Sequence, residues 1–253
     1  MTHEMIPGKS GRAVPCLHTL TGTGKEKIVC VAAHGFGSSK ESPTTSMLLE
    51  ALPARGIGVI AFDFPAHGES PVDGDALRIG NCLCDLAAAE ARAKELAPEA
   101  DVVYFSSSFG AYINLIYLAT RPHAGRRSFL RSAAVDMPGL FSHPTAEESA
   151  RLARDGYLML DEGYTRPLKI TPAFLSDLAA HNVFRLYRAG EAEVRMVHGG
   201  ADETASVKDA ERFARQFGAE LTVIPGGDHR LSLPGMPETV LRLAEEFYLS
   251  AAR

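Results

Sequence analysis

The chain has 253 residues, 45% of them apolar and 23% charged, with a formal net charge of -5. That length can bury a substantial core without metal or disulfides, and the acidic balance, with no Lys/Arg-rich stripe, argues against nucleic acid as a partner. The start MTHEMIPGKSGR has no apolar segment behind a basic one, and no stretch reaches the ~18 apolar residues of a membrane span. Cys16, Cys30, Cys82 and Cys84 fit neither a zinc site nor a C-x-x-C pair. A cytoplasmic chain with reduced thiols is the expectation.

KIVCVAA (27–33) is the first continuous apolar, β-branched run. A glycine-rich turn, HGFGSSK, leads from it towards a helical pattern at 45–55. IGVIAF (57–62) is the next strand, followed by FDFPAHGES and a helix over 83–97. DVVYFS (101–106) runs into three serines and the helix FGAYINLIYLA. SAAVDM (132–137) reads as a further strand. From about 140 to 192 no buried strand is evident. An amphipathic helix leads there into an extended piece, DEGYTRPLKIT suits a hairpin or loop, and PAFLSDLAAHNVFRLY suits another helix. VRMVHG (194–199), a helix at 205–218, LTVIP (221–225) and a helix at 237–252 complete the chain. Strands apolar on both faces, alternating with helices, predict an α/β fold with a mostly parallel sheet. The region 140–192 reads as an insertion into one domain spanning 1–253.

The serine run poses a steric question. A nucleophile on a strand-to-helix turn needs small residues two before and two after it. Ser106 has Tyr104 in front of it, and Ser107 lies between Phe105 and Phe109. Ser108 alone has small neighbours at both places, Ser106 and Gly110. A helix N-cap is the other role open to it. A serine hydroxyl also needs a base, and the base an orienting acid. VRMVHGGADETAS and TVIPGGDHRLS offer Asp202 and His229 after consecutive strands, in the chain order Ser, Asp, His. Asp202 also suits a helix cap, and Asp136, after an earlier strand, is a competing acid. In HGFGSSK the N–H of Phe36, with that of Phe109 after the nucleophile, can receive a developing oxyanion. PGKSG and TGTGKEK lack the spacing of a phosphate loop, and no His pair has metal-ligand spacing.

These segments resemble the α/β-hydrolase fold serine hydrolases. HGFGSS is similar to the family's oxyanion loop and SSSFGA to its nucleophile elbow. FDFPAHGES is similar to a D-x-P/R-G-H-G-x-S segment, with Ala66 where glycine is common. HGGADE and GGDHR are similar to the acid and histidine loops. The insertion resembles the short cap of the cinnamoyl (feruloyl) esterase-like and serine aminopeptidase-like branch. The resemblance implies a small-molecule carboxylic ester with a medium-chain or aromatic acyl group, and no cofactor or metal. Phe141, Tyr157, Leu158, Phe174 and Phe184 are expected to roof an apolar pocket. The same machinery also suits an aminopeptidase, a thioesterase or an acyltransferase, and a non-catalytic binding protein is a further alternative. No oligomeric state is indicated.

Overall fold

The computed structural model describes residues 1–8 and 11–250. The strands are β1 (Thr2–Pro7), β2 (Ala13–His18), β3 (Ile28–Ala33), β4 (Ile57–Phe62), β5 (Asp101–Ser107), β6 (Arg127–Arg131), β9 (Glu193–Gly199) and β10 (Glu220–Ile224). They form one sheet in the order β1-β2-β4-β3-β5-β6-β9-β10. From β4 to β10 neighbours run parallel, while β1 on β2 and β2 on β4 are antiparallel. The winding reverses between β3 and β5. In an open parallel sheet such a reversal leaves a crevice at the carboxyl ends of the strands, and here the HGFG turn and the serine run flank it.

Helices cover both faces, which explains why the parallel strands read as unbroken apolar runs. One face packs against α2 (Ile79–Leu96), α3 (Phe109–Thr120) and α8 (Val207–Phe217). The other packs against α1 (Pro43–Ala51) and α9 (Met236–Leu249). Helix α2 begins four residues before the expected position. Its first amide, on Ile79, donates to the Asp177 carboxylate 3.2 Å away, a partner 98 residues distant that no local pattern announces.

The expected strand at 132–137 is a misplacement. The strand is β6, Arg127–Arg131, and Ser132 turns the chain at φ 48°. Arginines at both ends of β6 hide it from a search for apolar runs. Arg127 donates to the carbonyls of Phe247 and Tyr248, and Arg131 to the carbonyl of Arg230, so both guanidinium groups are satisfied inside the fold. The β1–β2 hairpin was not foreseen either.

The inserted segment holds α4 (Met137–Leu140), α5 (Ala146–Asp155), a hairpin of β7 (Leu158–Leu160) with β8 (Leu168–Ile170), α6 (Pro172–Ala180) and α7 (Val183–Leu186). The single helix expected over PAFLSDLAAHNVFRLY breaks at His181, and the Asn182 side chain caps α7. Among the described residues, no helix is long and apolar enough to cross a membrane.

Candidate active site

Ser108 joins β5 to α3 with φ 51° and ψ -112°. That region is costly for any residue with a Cβ and persists only where the surroundings impose it. Gly110 is part of the imposition: a Cβ there would lie 2.5 Å from the carbonyl oxygens of Ala33 and His34. Ser106, on the other side of the turn, is fully buried. The Ser108 side chain makes no capping bond to α3. Its Oγ lies 3.0 Å from His229 Nε2.

The other ring nitrogen, His229 Nδ1, is 2.8 Å from Asp202 Oδ2 and 3.0 Å from Oδ1. The Asp202 carboxylate is wholly buried. Its Oδ1 also accepts from the amides of Thr204 and Ala205 at 2.9 and 2.8 Å. Those bonds close a turn before α8, whose cap is Ser206, so Asp202 is not the helix cap. Burial pushes the Asp202 carboxyl up, but hydrogen bonds from His198, His229 and the Ala205 amide outweigh it and hold the group well below the usual carboxylate range. The two loops meet closely because Gly199 has no Cβ, which would otherwise collide with the carbonyls of Gly227 and Asp228.

Asp136 stands apart. It is half-buried, its carboxyl is pushed up by burial and by Asp209, and it makes no hydrogen bond to His229. His198 is fully buried with Nε2 3.1 Å from Asp202 Oδ2. Its place four residues before Asp202, at the end of the same strand, was the available signal.

The HGFG turn lies against Ser108: a Cβ on Gly35 would be 3.4 Å from Ser108 Cβ and 4.0 Å from its Oγ. His34 Nε2 accepts from the Phe64 amide at 3.1 Å, so its proton sits on Nδ1, which donates to the Gly35 carbonyl at 2.8 Å. The Ser38 amide donates to the same carbonyl at 3.2 Å. Gly35 C=O and Phe36 N–H belong to one planar peptide, so fixing the oxygen aims the amide. Neither the Phe36 nor the Phe109 N–H donates to an acceptor among the described residues.

Beneath this turn, buried Asp63 accepts from the amides of Lys40 and Glu69 at 2.7 and 2.9 Å and pairs with Lys40 Nζ at 3.2 Å. Ala66 sits in the left-handed region at φ 66°, where a glycine would cost least.

Over the site, the Phe36 ring meets Phe109, Phe141, Tyr164 and Phe174 with centroids 5.4 to 6.0 Å apart. Of the residues expected as a roof, Phe141 and Phe174 pack on Phe36. Phe184 packs instead on Phe213, Tyr157 lies under Lys169, and Leu158 is buried in the hairpin. Tyr164 was not anticipated. Nearby is a cavity of about 580 Å³, bounded by Ala134, Asp136, His143, Glu203 and Asp209. Its lining is as polar as it is apolar, unlike the apolar pocket expected. The Ala134 amide donates to the Ser108 carbonyl at 3.3 Å, so the cavity begins beside the elbow. Among the described residues, no cluster of three His, Cys, Asp or Glu side chains is arranged to hold a metal ion.

A family model described as the alpha/beta hydrolase family matches residues 28–243. No curated protein sequence matches the chain. Among solved structures, a candidate hydrolase from Agrobacterium vitis S4 superposes with a TM-score of 0.82 at 21% identity, covering 97% of each chain. Est1E from Butyrivibrio proteoclasticus, solved with ferulic acid bound, gives 0.76 at 19% identity over 98% of this chain and 100% of its own. Mouse alpha/beta hydrolase domain-containing protein 10 gives 0.75 at 17% over 98% of each. At such identities the superpositions speak for the fold alone. The family model spans all six parallel strands and the loops at their ends, and the chain belongs to the alpha/beta hydrolase family.

Proposed function

We propose that the protein is a serine esterase acting through an acyl-enzyme. The observation that carries the reading is the unbroken hydrogen-bond chain from a strained Ser108 through His229 to a buried carboxylate. Ser108 Oγ attacks the ester carbonyl carbon while His229 Nε2 takes its proton. The carbonyl π electrons move to oxygen, and the free amides of Phe36 and Phe109 receive that charge. One such donor is typically worth ~10²–10³ in rate. Collapse of the intermediate breaks the C–O bond, and His229 returns the proton to the leaving alcohol. Water, deprotonated by His229, then releases the acid and restores Ser108. Asp202 holds the imidazole and stabilises its charged form. No step calls for a cofactor.

The acyl group in this reading is medium-chain or aromatic. Support comes from the aromatic rings around Phe36, which suit a flat apolar group, and from ferulic acid, the bound aromatic acid of Est1E. The inserted segment, residues of about 140 to 192, serves as the cap.

A fluorophosphonate is expected to label the protein once, at Ser108. Ser108→Ala abolishes labelling and hydrolysis in a folded protein, whereas Ser107→Ala retains both. Labelling that persists in Ser108→Ala defeats the assignment.

A further inference from the structure

Asp202 is shared by two histidines. The proposed mechanism uses only His229, yet His198 also lies against Oδ2. His198 is fully buried at the end of β9. Its Nε2 is 2.9 Å from the Ala205 carbonyl and 3.1 Å from Asp202 Oδ2. Both neighbours only accept, so Nε2 carries its single proton, which bonds the Ala205 carbonyl and has Oδ2 as a second, longer contact. Its Nδ1 has no partner among the described residues.

The division of labour on the carboxylate is asymmetric. Backbone amides pin Oδ1, through Thr204 and Ala205. Oδ2 receives no backbone bond and meets only the two imidazoles. The nearby charges do not replace His198. Arg131, from β6, gives its guanidinium to the Arg230 carbonyl, and Asp228, beside His229, accepts from Ser232. Removing the His198 donor would leave Oδ2 anchored solely by the group it is meant to orient.

We propose that His198 is a positioning residue for the acid: its Nε2–H fixes Oδ2 so that the carboxylate presents a set geometry to His229 Nδ1. This rests on the reading that Asp202 orients the base. The rival is a core histidine that merely staples the Ala205 carbonyl and contributes stability alone.

A double-mutant cycle separates the two. His198→Phe and His198→Gln are made in the wild type and in Asp202→Asn, and kcat and KM are measured on a nitrophenyl ester. A hydrogen bond to a charged group predicts a fall in kcat of roughly 10- to 150-fold for His198→Phe. The loss falls on kcat with KM little changed. His198→Gln, whose amide reaches the same place, recovers most of it. In Asp202→Asn the His198→Phe substitution has no further effect.

Full kcat in folded His198→Phe, or the same fold-loss in both backgrounds, overturns the proposal. If His198→Phe does not fold, Gln is compared with the shorter Asn: equal kcat overturns the proposal, and higher kcat in Gln supports it. Wild-type kcat in Asp202→Asn alone defeats the parent reading of the acid, and the role of His198 with it. An intact Asp202 effect with an inert His198 defeats only the latter.

Discussion

The loops at the carboxyl end of the sheet and the segment inserted between β6 and β9 face each other across the Phe36 ring, and they are held differently. Around Ser108 the constraints fall on the backbone. Gly110 lies against the carbonyls of Ala33 and His34, Gly199 against those of Gly227 and Asp228, and the Gly35 carbonyl is bonded twice. In the inserted segment α5 buries none of its residues. Much of its attachment runs through side chains, such as Arg78 to Asp177 at 2.6 Å, Arg166 to the Ser70 carbonyl at 2.9 Å and Lys169 to Asp75 at 2.7 Å. An exposed ion pair such as Lys169 with Asp75 is worth about 0–1 kcal/mol, whereas a backbone collision has no cheap relief. Chemistry and selectivity should therefore be separable by mutation.

The largest effect that could break this division concerns the acid. Asp202→Asn keeps the shape but removes the charge, and in a known triad that change costs ~10⁴ in kcat through the wrong imidazole tautomer. Asp136→Asn, on the cavity side and without a bond to His229, is expected to cost far less. Steady-state kinetics with circular dichroism as a folding check decides it. If the two variants exchange places while both stay folded, the acid is Asp136.

The three proposed site residues were legible because each sits where a strand ends in a turn of small residues, and that steric demand is local. Ser108 could be chosen among three serines from its neighbours alone. What was not legible depended on distant partners. Strand β6 lies before the expected 132–137 because Arg127 and Arg131 find their acceptors on α9 and on the His229 loop. The first turn of α2 is completed by Asp177, far along the chain. The hairpin of β1 and β2 carries Pro7 and Pro15 and no long β-branched run, so its pairing shows only in three dimensions. Leu158 and Phe184 face away from the roof because hydrophobicity alone does not say which part of one core a side chain joins.

Acidification probes the same contrast through stability. Burial pushes the His34 ring down to about 4, and burial with the neighbouring His34 pushes His67 down to about 3. Both sit in the loops around Phe36. The folded state keeps these rings neutral, while the unfolded chain protonates them near pH 6.5. Their stabilisation is present above that pH and is lost as pH falls towards 4. At pH 5 the loss is roughly 2 kcal/mol for each ring. His18, also lowered by burial, adds in the same direction. In the inserted segment the lowered groups are carboxylates, Glu148, Asp155 and Asp177, whose contribution fades only at lower pH. Urea unfolding at pH 7.5 and pH 5 should differ by several kcal/mol, and His67→Phe should flatten that slope. A slope unchanged by His67→Phe would assign the acid sensitivity elsewhere.

The smallest expected effect distinguishes two phenylalanines of the inserted segment. Phe174 is fully buried and stacks on Phe36 at 6.0 Å and 16°, so its ring backs the proposed acyl position on Phe36. Phe184 meets Phe213 and Phe217 and lies under the Arg212 guanidinium at 4.1 Å, away from that position. Both →Leu substitutions remove an aromatic face but keep apolar bulk, so neither leaves a large hole. An aromatic pair is worth ~0.5–1.5 kcal/mol beyond its buried area. For a substrate ring that packs on the pair of Phe36 and Phe174, that corresponds to about 2- to 12-fold in kcat/KM. Phe174→Leu should therefore lower the ratio of kcat/KM for hydroxycinnamate over butyrate esters within that range. Phe184→Leu should lower the melting temperature and leave the ratio alone. The reverse pattern would place the acyl group on the polar side, in the cavity beside Asp136 and His143, and the aromatic rings would then be only the seam between insertion and sheet.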